Sequence, residues 1–461
     1  MKGKNRMKKI RIGGGQGFWG DSNDAAIHMM KTGKLNYMAC DYLAELTLSI
    51  MARQKMKDPK RGYATDFIDL FQSVAEDSYY SDIGILTNAG GMNIEGAVDA
   101  CSKVAQNKKM KGYKIGYVLG DDIKDKIPQL IQEGYEFKNL DDDALSFKNI
   151  QNEIVNANVY FGHEPILECL NSGANLVITG RATDSALFLA PIMKKLGWKE
   201  NNLDLLAKGI MAGHLLECGG QGSGGNFQYD WRNVPNMDQL GFPIAEVCDE
   251  YLHITKAPDC GGMITEQTCK EQFLYEVHDP QNYITPDVTV DIGEAQIHQI
   301  GTNLVDVSNI KGKERPDQLK LSIGYHAGYK VVTYLSFAWP DAYEKAQYAA
   351  DILMKKMKRK GLKAEEIHID YVGLNALHLG VADMRKEICD NLNETILRVA
   401  IRTIDKDEAY KIIPEISPLQ LNGPPGASFF GGRARVQEVI GLWPTLIPRE
   451  ALNLQSHILE I

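Results

Sequence analysis

Short β-rich apolar runs alternate with amphipathic stretches over the first two-thirds of the chain, the signature of successive βα units. Strand-like runs fall at 9–12, 36–40, 83–87, 114–119, 159–162 and 176–179. Helical apolar spacing falls between them, at 24–31, 44–56, 93–106, 125–133, 164–171 and 185–196. Several of these helices follow an Asp, Asn or Ser and stop at Gly33, Gly134, Gly173 or Gly197, which are ordinary start and stop signals. Six such units predict an α/β fold, a parallel sheet flanked by helices in three layers, with ligand-bearing loops at the carboxyl ends of its strands.

The pattern changes after about residue 285. Residues 320–339 contain two strand-like runs, the second alternating through Val331, Thr333, Leu335 and Phe337. Pro340 and Asp341 open a long helix to Lys360, closed by Gly361, and further strands fit 366–371 and 396–404 before a helix at 405–413. This predicts a smaller α+β domain of ferredoxin-like character over 286–461, after an α/β domain over 1–285. The basic run at 354–360 reads as the solvated end of a helix.

Composition narrows the function class. The chain has 461 residues, 44% hydrophobic and 24% charged, with a formal charge of -9. An acidic balance argues against a general nucleic-acid binder but leaves room for an anionic small molecule held by a few arginines. No apolar run approaches the ~20 residues of a membrane span. The basic start, in which Met7 can serve as the natural first residue, leads into a strand without an apolar signal core, and the eight cysteines form no CxxC pair. Cytoplasmic, reduced thiols are expected. The 43 glycines fall largely in clusters, most of them where a strand hands over to a helix or loop.

Those clusters carry the candidate chemistry. Gly15, Gly17 and Gly20 match GxGxxG after a strand, and Asp41 ends the next strand, as in a dinucleotide fingerprint. Trp19 is bulky for such a loop, and Asp21 and Asp24 put negative charge where pyrophosphate would sit, so NAD is not expected. Gly15, Gln16 and Gly17 then form either a tight turn or a backbone cradle for another ligand. Asp41 and Glu45 suit a carboxylate pair for acid/base work, or, with Asp21, an optional divalent metal ion; helix capping is the plainer alternative. Asn88, Gly90 and Gly91 form a βα turn able to orient a carboxylate. Arg181 beside Asp184 offers a forked anchor for a substrate carboxylate and a catalytic acid or a helix cap. His214 and Glu217, three residues apart, share a helix face as a base and its orienting carboxylate or as two ligands of a metal, and Gly219, Gly220 and Gln221 follow. His163, next to Glu164, is a second His/acid candidate. Arg433 and Arg435, after the turns at 422–426, suit an anion or a domain contact equally.

The segments RIGGGQGFWGDS, DYLAELTLSIM, GYATDF, TNAGGMN, ITGRATDSALFLAP, AGHLLECGGQ and LNGPPGASFFGGRARVQEV together make the chain resemble the acyclic terpene utilisation (AtuA) family over nearly its whole length. One departure is the loop after CGGQ, often bulkier in the family and here Gly222-Ser223-Gly224-Gly225. The resemblance implies a role in organic-acid or acyl-CoA catabolism, and a small partner protein of about a hundred residues, the size of one domain. It transfers no residue roles, so the candidates rest on their local chemistry.

These observations lead to an expected hydratase or dehydratase acting on a small carboxylic acid or its CoA thioester, of the mesaconate/citramalate type. Arg181 and the glycine loops would anchor substrate, and His214, Asp184, Glu217 or His163 would move protons. A homo- or hetero-oligomer is expected. The alternative is a non-catalytic binding or scaffold subunit of a larger complex.

Overall fold

The computed structural model describes residues 8–461, so the basic start with Met7 lies outside the described residues. The chain divides into two compact units, one running up to Gly324 and taking in Leu442–Ile461, the other Tyr325–Gly441.

In the larger unit the strands are β1 (Ile10–Gln16), β2 (Tyr37–Cys40), β3 (Gly84–Thr87), β4 (Lys114–Leu119), β5 (Ile154–Val159), β6 (Leu176–Ile178), β7 (Pro243–Val247) and β8 (Leu252–Lys256). They are followed by β9 (Tyr283–Ile284), β10 (Thr289–Asp291), β11 (Gln296–Gly301), β12 (Leu304–Ser308), β13 (Lys311–Lys313) and the start of β14 (Gln318–Ala338). Its helices are α1 (Asn23–Thr32), α2 (Glu45–Lys57), α3 (Thr65–Ser81), α4 (Ile94–Asn107), α5 (Ile127–Gln132), α6 (Glu164–Asn171), α7 (Ala186–Leu196), α8 (Leu203–His214) and α9 (Glu266–Leu274).

Five strands, in the order β1-β2-β3-β6-β4, are parallel, as the βα alternation predicts. Alternate side chains feed two separate cores. Met38, Cys40, Ile85 and Ile178 pack with α1, α3 and α4, whereas Ala39, Leu86 and Val177 pack with α6, α7 and α8. Helices therefore cover both faces of this central part.

The sheet as a whole is mixed, which corrects the expectation of a parallel one. Its ten strands include an antiparallel flank, β11-β12-β8-β7, beside β1, and the strand Gln455–Glu460 runs antiparallel to β4 at the other edge. Short hairpin connections such as that between β7 and β8 permit only antiparallel neighbours. Residues 286–324 belong with the larger unit because the β11–β12 hairpin extends this sheet. The run expected at 159–162 also moves: β5 ends at Val159 and pairs with β14 rather than joining the ten-stranded sheet.

The smaller unit follows β-α-β-β-α-β order: the rest of β14, a helix Ala342–Arg359, strands Glu366–Val372 and Glu394–Thr403, a helix Lys406–Ile416 and a short strand Ser428–Phe429. The last strand lies beside the first, and all pairings along the sheet are antiparallel. Phe337, Leu353, Leu397, Ile401 and Ile412 fill its core. This is the split βαβ arrangement.

Candidate functional site

The carboxyl ends of the parallel strands open onto a cleft of about 1020 Å³. Its lining comes from distant parts of the sequence: Gly17 after β1, Asp41 after β2, Tyr160 after β5, Arg181 and Asp184 between β6 and α7, and Glu217 just beyond α8. Tyr283 of β9 and Lys320 of β14 complete the walls. A second cleft of about 670 Å³ shares Gly17, Cys218 and Tyr275 with it.

Arg181 is 3% exposed. Its Nη1 donates to the Leu43 carbonyl at 2.7 Å and Nη2 to Asp184 Oδ1 at 2.8 Å, while its guanidinium carbon stands 4.3 Å from the Tyr160 ring centre. The backbone N–H of Arg181 donates to Asp121 Oδ2, which fixes the loop that presents it. A buried cation with a carboxylate and an aromatic face beside it stays charged. It is a buried charge at the cleft wall, with one N–H of each terminal nitrogen already donated within the protein.

Glu45 starts α2 and accepts from both Tyr160 Oη at 2.7 Å and Lys320 Nζ at 2.9 Å. Burial acts to raise its pKa, but Lys320 and the Tyr160 hydroxyl outweigh that and hold it down to about 2. Glu45 is thus ionised throughout the ordinary pH range.

Two other carboxyls behave in the opposite way. Asp41 is buried, and desolvation together with the nearby Asp184 charge lifts its pKa well above the usual range, against Arg181 and the hydrogen bonds it accepts. Asn88 Nδ2 donates to Asp41 Oδ1 at 2.5 Å, and Asn88 Oδ1 accepts from the Tyr42 N–H, so Asn88 is a support for Asp41. Burial also raises Glu217, to about 7, although His214 opposes the shift. His214 Nδ1 is 3.0 Å from Glu217 Oε1, its ring leans on Tyr283, and its Nε2 is buried with no partner among the described residues. Glu217 borders the cleft; His214 is not part of its lining.

The remaining sequence candidates fall elsewhere. Asp21 lines the second cleft and is engaged by the N–H groups of Gly17 and Ser22 at 3.0 and 2.7 Å. With Glu45 committed to Tyr160 and Lys320, the expected metal set of Asp21, Asp41 and Glu45 does not assemble. Among the described residues no group of three or more His, Cys, Asp or Glu side chains could hold a metal ion. Gly220 and Gln221 line the second cleft, and Gly219, at a φ of 55°, packs beside Asp21. Gly15 faces Met38 and Cys40 in the core, a Cβ on Gly90 would meet the Thr179 carbonyl, and Gly91 packs on Met51, so these glycines serve close packing. Gln16 is buried and donates to Ser22 and Asn23. His163 forms a separate buried pair with Asp287, Nδ1 to Oδ1 at 2.8 Å, outside the cleft lining. Arg433 and Arg435 belong to the smaller unit. All eight cysteines are free.

Tyr160, Tyr283 and Lys320 line the cleft, and the sequence patterns do not single them out. Tyr283 and Lys320 sit in strands with no glycine cluster beside them, and near Tyr160 the adjoining His163-Glu164 pair draws the attention instead.

A family described as Acyclic terpene utilisation family protein AtuA matches residues 10–458. Comparisons with curated proteins and with solved structures gave no match. No helix among the described residues is long and apolar enough to cross a membrane.

Proposed function

The chain belongs to the acyclic terpene utilisation family, and from that premise we propose that it is an enzyme adding or removing water at a small unsaturated carboxylic acid or its CoA thioester, of the mesaconate/citramalate kind. One observation carries this reading. Glu217, which burial raises to about 7, and Asp41, which burial and the Asp184 charge lift well above the usual carboxylate range, border the same cleft as the Arg181 guanidinium.

Such a reaction removes a proton beside a carbonyl and protonates the departing hydroxyl, so it needs one base and one acid. Glu217, raised to about 7, exists in both forms at neutral pH and suits the base. Asp41, whose pKa burial and the Asp184 charge raise, suits the acid. His214 acts through Glu217 by fixing the orientation of its carboxyl. Arg181 supplies a positive field toward charge developing on the carbonyl oxygen. Because the expected metal ligands do not converge, no step is assigned to a metal ion.

The proposal extends to a cytoplasmic protein that works with a small partner subunit in a homo- or hetero-oligomer, away from nucleic acid and membrane. Purified protein, with that partner, is incubated with mesaconate, citramalate and short enoyl-CoAs while the conjugated-alkene absorbance is followed. Interconversion that disappears in Glu217→Gln and Asp41→Asn supports a hydro-lyase. No turnover of any of these compounds contradicts it and favours a scaffold role.

A further inference from the structure

The acid/base pair does not account for the group that receives a substrate's negative charge. Arg181 is less accessible for that task, since its side chain is 4% exposed and each terminal nitrogen already donates one N–H within the protein. Lys320 is more open. Its side chain is 43% exposed, it borders the same cleft, and its ammonium carries three N–H donors of which Glu45 takes one. Nζ also lies 4.8 Å from the Tyr160 ring centre, which holds the ammonium over the cleft wall. Glu45 keeps a second donor, the Tyr160 hydroxyl, so its carboxylate remains paired when Lys320 turns away.

We infer that Lys320 is the anchor for a carboxylate of the substrate, and that Glu45 is a built-in competitor occupying the ammonium until the substrate arrives. The inference rests on the cleft's being a site for organic acids, and it adds which residue selects them. Because Glu45 is anionic and borders the same cleft as Glu217 and Asp41, an acid bound there exchanges with it for the Lys320 ammonium. Charge opposition between Glu45 and the bound carboxylate keeps affinity modest.

The test is calorimetric titration with acetate, fumarate, mesaconate and citramalate. It uses wild-type protein, Lys320→Met, Lys320→Arg, Glu45→Gln and Glu217→Gln, with circular dichroism to verify folding. At least one acid is expected to bind wild type. Lys320→Met weakens that binding about tenfold or more, as expected for loss of a hydrogen bond to a charged group. Lys320→Arg restores most of it, and Glu45→Gln tightens it by removing the competitor. Glu217→Gln binds as wild type does while losing turnover. Failure of every acid to bind wild type, unchanged affinity in Lys320→Met, or weaker affinity in Glu45→Gln overturns the inference. Acids that bind through Lys320 yet are never turned over would contradict the hydro-lyase and leave the anchor standing.

Discussion

His214 stands behind Glu217, Nδ1 to Oε1 at 3.0 Å, and of the two only the carboxyl borders the cleft. The i, i+3 spacing that brings them together just past the end of α8 also decides their order of access. In the proposed reaction the carboxyl is therefore the group that meets a substrate, with the imidazole tuning it from behind.

That tuning has a direction. His214 opposes the burial that raises Glu217, so His214→Asn lets the carboxyl titrate still higher than about 7. The acid limb of the pH–rate profile then moves to higher pH, with a fall in kcat of about tenfold or more. An unmoved limb would reduce His214 to a packing residue.

Stability follows the same groups. Between the ordinary 4.5 and about 7, the unfolded chain has released a proton that folded Glu217 retains. The folded state binds more protons there, so this group's contribution to stability falls as pH rises through that window. The raised His214 acts in the same sense. Melting temperature measured from about pH 5 to about pH 8 should decline less steeply in Glu217→Gln than in wild type. Parallel curves would contradict the raised carboxyl.

His163 gives a contrasting case. It and Asp287 are buried together away from the cleft lining, and the Asp287 carboxylate also accepts from the His163 N–H at 2.9 Å. Asp287→Ala strands the imidazole and costs about 3–5 kcal/mol in denaturant unfolding. His163→Asn lowers stability but leaves the shape of the pH–rate profile unchanged; a shifted profile would return His163 to the catalytic set.

Gly17 ties both clefts to one piece of backbone. A Cβ there would stand 2.6 Å from the Cys218 carbonyl carbon, so the chain must move. Gly17→Ala is expected to cost about 1–3 kcal/mol and to weaken ligand binding, because Glu217 adjoins the displaced residue. Thermal unfolding and ligand titration of this variant check both effects.

How much of this is visible in the sequence depends on where each signal resides. The parallel strands announce themselves because apolar runs such as 36–40 and 83–87 are followed by capped helices. The antiparallel flank does not, since register between β7 and β1 is set by contacts across more than two hundred residues. Asp41, Glu45, Arg181 and Asp184 line one cleft, as their positions at or just after strand ends suggest, and Glu217 reaches it from just beyond α8. Asp21 separates from them because the Gly17 and Ser22 N–H groups fold it back onto its own loop. Lys320 gives no local sign: its importance arises only when β14 passes alongside β5 and brings it to Tyr160 and Glu45.

In the proposed reaction Glu217 removes a proton from carbon beside a carbonyl. The most direct measurement of this step is deuterium uptake: protein with mesaconate, citramalate or a short enoyl-CoA in D2O, followed by proton NMR at the position next to the carbonyl. Wild type is expected to exchange that proton, with exchange lost in Glu217→Gln and retained in His163→Asn. Exchange that survives in Glu217→Gln, or none in wild type with any of the compounds, contradicts the assignment.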